Sequence, residues 1–132
     1  MSSLNLSFNH DLEIKKPSLG RLVGNLTRLE NLDLSGLRII SIVPNILANF
    51  SSLTSLRLSD CKLHGEFPVG IFKLPNLQVL NVQKNKGLTG YLPDFQGSSP
   101  LKEMNLARTS FSGKLSTSIG NLVQLFFFSK PC

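Results

Sequence analysis

The stretch LRLSDCKLHGEFP, from Leu56 to Pro68, sets the period of the chain. Leu56 and Leu58 alternate as a strand with one buried face requires, and Asp60 ends the alternation at once. Related stretches recur at intervals of 24 residues: LDLSGLRIISIVP begins at Leu32, LNVQKNKGLTGYLP at Leu80 and MNLARTSFSGKLS at Met104. Each repeat therefore contributes one very short strand and then turns away from it.

Five apolar pairs of this kind predict strands near residues 4–6, 32–34, 56–58, 80–82 and 104–106. The steps between them are 28, 24, 24 and 24 residues, inside the range of leucine-rich repeats. A single coil of that length cannot bury its own apolar face, so the coils must stack on one another. We expect an α/β fold: a right-handed solenoid with a parallel sheet on its concave face and irregular or short helical segments on its convex face.

The position three residues beyond each apolar pair is expected to hold the turn that leaves the strand. Small polar side chains there can bond backbone groups of neighbouring coils that the turn would otherwise leave unpaired. Cys61 can do so weakly, which favours a structural thiol over a redox or metal role, and Leu37 cannot do so, which predicts that its coil relies on packing. This position holds Asn9, Leu37, Cys61, Asn85 and Thr109.

Glycine and proline mark the path behind the strands. The motif LxGxxP places Gly65 before Pro68 and Gly90 before Pro93. We expect the glycines to permit a close turn and the prolines to hold the returning chain extended on the outer side of the coil.

Composition narrows the class of protein further. The formal charge is +6, yet the 14 Lys and Arg residues are spread evenly rather than interleaved with aromatics in a stripe, which argues against a nucleic-acid partner. No apolar run approaches the roughly 20 residues that span a bilayer, and no signal peptide is apparent. Two cysteines cannot make a disulfide framework. Three sequons make Asn5, Asn25 and Asn49 candidates for glycosylation.

The block DCKLHGEFPVGIFKLPNLQVLNVQKNKGLTGYLPDFQGSSPLKEMNLARTSFSGKLSTSIGNL, with the long first coil before it, resembles an internal part of the ectodomain of plant leucine-rich-repeat receptor-like proteins of the membrane-anchored, disease-resistance type. The resemblance implies a cell-surface receptor with a single membrane span that recognises a pathogen or a developmental cue and signals through receptor kinases. Defence signalling is the favoured role, and the implied ligand is a protein, peptide or glycan. This chain departs from that pattern because it shows no signal peptide, no cysteine-bearing caps and no span. We expect a truncated product.

Repeat proteins of this shape bind through the sheet face, so the outward strand residues are the candidate ligand contacts. Cations outnumber anions in the later coils, which would suit an acidic peptide or glycan. The alternative is that Asp60 with Lys84, and Glu103 with Arg108 or Lys102, only neutralise one another. The candidates are Arg57, Asn81, Lys84, Lys102, Asn105 and Arg108.

Catalysis is not expected. His10 and His64 are isolated and are placed in turns, no nucleophile motif or phosphate-binding loop is present, and we expect no cofactor and no metal site. A soluble secreted inhibitor of cell-wall-degrading enzymes, built from the same plant coil, is the alternative binding function. An intracellular resistance-protein repeat would lack the regular LxGxxP motif.

The solenoid is expected over residues 1–125, with a non-repeat tail at 126–132. Leu122 and Leu125 begin a further coil, and the apolar run from Phe126 to Phe128 follows. An uncapped apolar end of this kind predicts that the isolated chain is marginally stable and self-associating.

Overall fold

The structure is a computed structural model, and it describes residues 2–8, 19–93, 99–112 and 124–126. Several expected features lie outside these ranges: the polar turn residue Asn9, the histidine His10, the start of a further coil at Leu122, and the tail beyond Phe126. The fold below is that of the described residues.

Six short strands form one parallel sheet in the order of the chain. Leu32, Leu56 and Leu80 stand opposite one another in neighbouring strands, so the apolar pairs align coil upon coil. This sheet confirms the expected α/β leucine-rich-repeat solenoid. Its strands are β1 (Ser3–Asn5), β2 (Asn31–Asp33), β3 (Ser55–Arg57), β5 (Val79–Asn81), β7 (Glu103–Asn105) and β9 (Gln124–Phe126).

Each of the five predicted strands begins and ends one residue earlier than expected. The second apolar residue of each pair, such as Leu34 or Leu58, lies one residue beyond the strand, although its N–H still donates to the next coil at 3.0 and 2.8 Å. Strand β9, which was not among the predicted strands, ends at Phe126, one residue beyond the solenoid boundary predicted at 125. The inward leucine pattern therefore continues past the hydrogen-bonded strand.

The core is a continuous column of apolar side chains between the sheet and the outer face. Leu32, Leu56 and Leu80 are fully buried, as are the residues that precede them at intervals of three, such as Leu53 and Leu77. Behind them the rings of Phe67, Phe72 and Phe111 lie 5.2 to 6.2 Å apart in tilted and edge-on arrangements. Burial at roughly 1.5 to 3 kcal/mol per large apolar side chain makes this column the main source of stability.

Asn85 ties three segments of backbone together at the turn after β5. Its Oδ1 accepts hydrogen bonds from the N–H groups of Cys61 and Leu63, at 3.0 and 3.1 Å. Its Nδ2 donates to the carbonyls of Leu58 and Val82, both at 2.9 Å. Asn85 is therefore buried with its polar atoms paired, and it bonds the adjacent coil as such a residue must.

The other described residues at this turn position behave according to their chemistry. The Cys61 thiol lies 3.0 Å from the Leu34 carbonyl of the preceding coil, and the Thr109 hydroxyl donates to Leu106 within its own coil at 2.7 Å. Leu37 is fully buried and contributes packing alone. Among the described residues, no buried side-chain nitrogen or oxygen lacks a hydrogen-bond partner.

A second parallel sheet follows the first along one flank of the solenoid. It consists of β4 (His64–Glu66), β6 (Gly87–Tyr91) and β8 (Ser110–Ser112), with a single bridge from Ile42 to His64 beside β4. The expectation that His64 and the glycines of LxGxxP lie in turns was wrong, because these residues form strands. The glycines provide space instead: a Cβ on Gly65 would lie 3.0 Å from Ile42, and one on Gly90 would lie 2.9 Å from Phe111.

Short helices form the outer face. An α-helix, α1 (Leu19–Val23), is followed by two 3₁₀ helices at Asn45–Asn49 and Val69–Lys73. Pro44 and Pro68 stand just before the 3₁₀ helices with extended backbone, where a missing N–H costs nothing. Across the part of the chain that the structure describes, no helix is long and apolar enough to cross a membrane.

Candidate ligand-binding face

The concave sheet presents its outward side chains in rows that run across the coils. Strand residues pair in exact register from β1 to β7, so the same repeat position recurs at every coil. Two of these rows hold five of the six candidate ligand contacts. The central row is Asn5, Asp33, Arg57, Asn81 and Asn105. The left-handed row is Phe8, Gly36, Asp60, Lys84 and Arg108.

The central row is largely committed to the fold. Asn81 Oδ1 accepts the N–H of Gln83 at 3.1 Å, and Asn105 Oδ1 accepts the N–H of Ala107 at 3.0 Å. These are Asx turns, in which the side chain closes the turn that ends the strand. Asn105 Nδ2 also donates to the side chain of Gln83 at 3.1 Å. The two asparagines predicted as ligand contacts therefore act as turn-forming residues, with half-buried side chains.

Arg57 replaces the turn-forming side chain in the third coil and forms an ion pair instead. Its guanidinium lies 3.7 Å from the Glu103 carboxylate, across the intervening strand β5. The side chains are 39% and 28% exposed, so the pair is partly screened by water and contributes little stability. The predicted partners of Glu103 were Arg108 and Lys102. The ion pair with Arg57 was not predicted from the sequence, since it depends on the sheet bringing residues two coils apart within reach.

The remaining candidate cations are exposed. Lys102 begins the approach to β7, and Lys84 and Arg108 belong to the left-handed row. Asp60, in the same row as Lys84 and Arg108, is exposed as well. The sheet face of the later coils therefore carries exposed cations.

Every residue of the left-handed row has positive φ, from 53° at Asp60 to 82° at Gly36. This conformation costs a non-glycine residue about 1 kcal/mol or more. It directs the row's N–H groups to the next coil, as in Asp60 to the Gln83 carbonyl at 3.0 Å and Lys84 to the Ala107 carbonyl at 2.9 Å. This feature was not predicted from the sequence, although Gly36 and Asp60 are of types that adopt positive φ more readily than most.

The Cys61 thiol is neither accessible nor reactive enough to contact a ligand. Its side chain is fully buried, and burial raises the pKa of the thiol from 9.0 to about 12. The thiol is therefore protonated and unreactive at neutral pH. His64 is exposed in β4. Within the described ranges, no three His, Cys, Asp or Glu side chains lie close enough together to hold a metal ion.

The three sequon asparagines lie in two different settings. Asn5 lies on the sheet face, and its Oδ1 accepts hydrogen bonds from both the N–H and the hydroxyl of Ser7, at 2.9 and 2.6 Å. Asn25 and Asn49 are exposed at equivalent repeat positions, Asn25 in the turn after α1 and Asn49 at the end of a 3₁₀ helix. A glycan on either of these would leave the sheet face open.

Comparison with known proteins identifies the repeat. The Leucine Rich Repeat family matches residues 28–50 and 52–74. Receptor-like protein 6 of Arabidopsis thaliana is 37% identical over 115 residues, which is 86% of this chain. Receptor-like protein Cf-9 of Solanum pimpinellifolium is 42% identical over 86 residues, or 64% of the chain. The chain is a leucine-rich-repeat segment of the plant receptor-like protein type.

The fold comparison agrees with this identification. The plant peptide hormone receptor RGFR1, solved in complex with RGF2, superimposes with a TM-score of 0.68 at 36% identity, over 92% of this chain and 23% of that receptor. The present segment is short beside its relatives, spanning 12% of Receptor-like protein 6 and 10% of Cf-9.

Proposed function

We propose that this leucine-rich-repeat segment is a ligand-recognition part of a plant cell-surface receptor-like protein, and that its concave sheet face binds a peptide, protein or glycan without catalysis. The receptor-like protein acts in defence signalling through receptor kinases. The observation that carries the proposal is the combination of an open, registered sheet face with a fold shared by a receptor solved with its peptide.

The arrangement of polar groups supports binding on this face. Strands in register hold side chains at a spacing of about 4.8 Å. The sheet is ordered before the ligand binds, so binding costs little further conformational entropy of the protein backbone. The central row fixes the turns through its own hydrogen bonds. Lys84, Lys102 and Arg108 project from that rigid base as exposed cations. A preorganised basic surface favours an acidic ligand at low cost in conformational entropy.

Charge reversal on the two faces tests the proposal. A phage-displayed library of random dodecapeptides is selected on the immobilised chain, and the affinity of the enriched peptides is measured for two double variants. Lys84→Glu with Lys102→Glu changes the sheet face. Lys73→Glu with Lys86→Glu makes the same change in net charge at exposed positions away from it. Circular dichroism checks that both variants keep the fold.

The sheet-face variant is expected to lose binding by about tenfold or more, because each charge-assisted contact contributes roughly 1.5 to 3 kcal/mol. The control variant is expected to bind as the parent chain does. Equal effects from the two variants would indicate attraction by net charge alone. Loss of binding only in the control variant would place the binding surface on the flank or outer face, and either result would overturn the proposal.

A further inference from the structure

The backbone of the left-handed row could be formed by glycine at every coil. The backbone N–H groups of the row donate hydrogen bonds to the next coil. Gly36 does so like its neighbours, donating to the Ser59 carbonyl at 2.9 Å. Glycine would adopt the same positive φ without strain. Phe8, Asp60, Lys84 and Arg108 nevertheless occupy the other coils. Non-glycine residues held in this conformation are concentrated at functional sites.

The side chains of the row change in character from one end of the sheet to the other. Phe8 is 67% exposed, and it lies against Gly36, where an added Cβ would come within 3.0 Å of the Phe8 ring. Asp60 follows in the third coil, and Lys84 and Arg108 follow in the fourth and fifth, all of them exposed. The row therefore passes from an aromatic surface through one carboxylate to two cations.

We propose that the left-handed row selects an extended peptide that crosses the strands, with an apolar side chain seated on Phe8 and Gly36 and a carboxylate seated against Lys84 and Arg108. The inference rests on the proposed function, and it specifies the class of ligand and the direction in which it lies. Asp60, between the two ends, favours a polar or basic residue at the centre of the peptide. An extended chain matches because it can present apolar and acidic groups at separate, regular intervals.

The distance between side chains of the row determines how many residues separate the apolar and acidic residues of the peptide. Neighbouring strands are about 4.8 Å apart, so Lys84 lies three steps, or about 14 Å, from Phe8, and Arg108 lies four steps, or about 19 Å, away. An extended peptide rises about 3.3 Å per residue. The apolar and acidic residues of the ligand are therefore separated by about four to six positions in its sequence.

The test compares two lysines with the same backbone conformation. Lys84, in the row, has φ of 61°, and Lys62, beyond the sheet face, has φ of 56°; both are exposed. Lys84→Gly and Lys62→Gly remove the same charge and relieve the same strain, so both variants should unfold at a temperature no lower than the parent chain. Random dodecapeptides displayed on phage are selected on each protein and sequenced, and affinities are measured for the enriched peptides.

The parent chain is expected to enrich peptides with an acidic residue about four to six positions from an apolar one. Lys84→Gly should weaken the binding of these peptides by about tenfold and reduce the acidic preference, because only Arg108 remains at that end of the row, whereas Lys62→Gly should leave affinity unchanged. Phe8→Ala should abolish the apolar preference and keep the acidic one. These results together would establish the row and the direction of the ligand.

Three outcomes would overturn the inference. If Lys84→Gly has no effect while Lys102→Ala weakens binding, the sheet face binds ligand through another row, and the proposed function survives. If neither substitution matters, the proposed function fails as well. If selection yields no peptide and an oligogalacturonide binds the parent chain instead, the ligand is an acidic glycan rather than a peptide.

Discussion

At the scale of single residues, each coil leaves its strand through a turn whose N–H and C=O groups must find partners away from water. Side chains at one repeat position, Cys61, Asn85 and Thr109, supply hydrogen bonds there, and Leu37 supplies only apolar surface. Asparagine makes the most hydrogen bonds at this position because its side-chain amide both donates and accepts. The polar turn position was predictable from its spacing in the sequence, whereas the number of bonds made by Asn85 was not, since they depend on the register of two coils.

Asn85→Ala should be strongly destabilising. The substitution leaves the N–H groups of Cys61 and Leu63 buried without the acceptor that they share. Each unpaired buried group costs about 1 to 3 kcal/mol, so a loss of roughly 3 kcal/mol in the free energy of unfolding is expected. Urea unfolding measures it. Asn76→Ala is the matched control, because Asn76 is exposed and donates one bond to Ser51. A similar small cost for both variants would contradict the role given to Asn85.

Stability should fall in alkaline solution through Cys61. Burial raises the pKa of its thiol from 9.0 to about 12 in the folded chain, so between these values the unfolded state releases a proton that the folded state keeps. Unfolding is therefore favoured as pH rises through that window, and the contribution is fully present below pH 9. Thermal unfolding of the parent chain and Cys61→Ala, both carrying Cys132→Ser, measures the difference in slope. Parallel pH profiles would show that the thiol is not shielded.

At the scale of elements, the main sheet follows from the sequence and the second sheet does not. Leucine at a period of two, recurring at 24 residues, locates the strands to within one residue. The flank strands β4, β6 and β8 contain glycine and polar residues and at most two apolar residues each, too few to indicate a strand from the sequence. They form because stacking on the main sheet brings equivalent extended segments together, which is a consequence of the whole solenoid rather than of local preference.

Gly65→Ala tests how the second sheet is held. Gly65 has φ of 78°, and an added Cβ would lie 3.0 Å from Ile42 Cγ2 in the neighbouring coil. Strain and crowding together should cost about 1 to 3 kcal/mol in the free energy of unfolding. Ile42→Ala in the same chain should restore only the part due to crowding, because the backbone strain stays. Full rescue by Ile42→Ala, or no loss in the single variant, would be inconsistent with this arrangement.

At the scale of the whole molecule, the candidate site is only partly readable from the sequence. The cations Lys84, Lys102 and Arg108 are exposed as expected, while Arg57 is paired with Glu103, and Asn81 and Asn105 close turns. These differences arise because the sheet brings together residues two coils apart and because side chains in different rows make different contacts. Asparagines of the central row close turns, and the left-handed row is the one proposed to contact a ligand.

The most direct test of a ligand-binding sheet face is chemical footprinting of lysines with a peptide selected on the chain. Acetylation of each lysine is followed by mass spectrometry in the presence and absence of the peptide. Bound peptide should protect Lys84 and Lys102, which lie on the sheet face, and leave Lys73 and Lys86 as reactive as before. Protection of Lys73 or Lys86 with full reactivity at Lys84 and Lys102 would contradict the account.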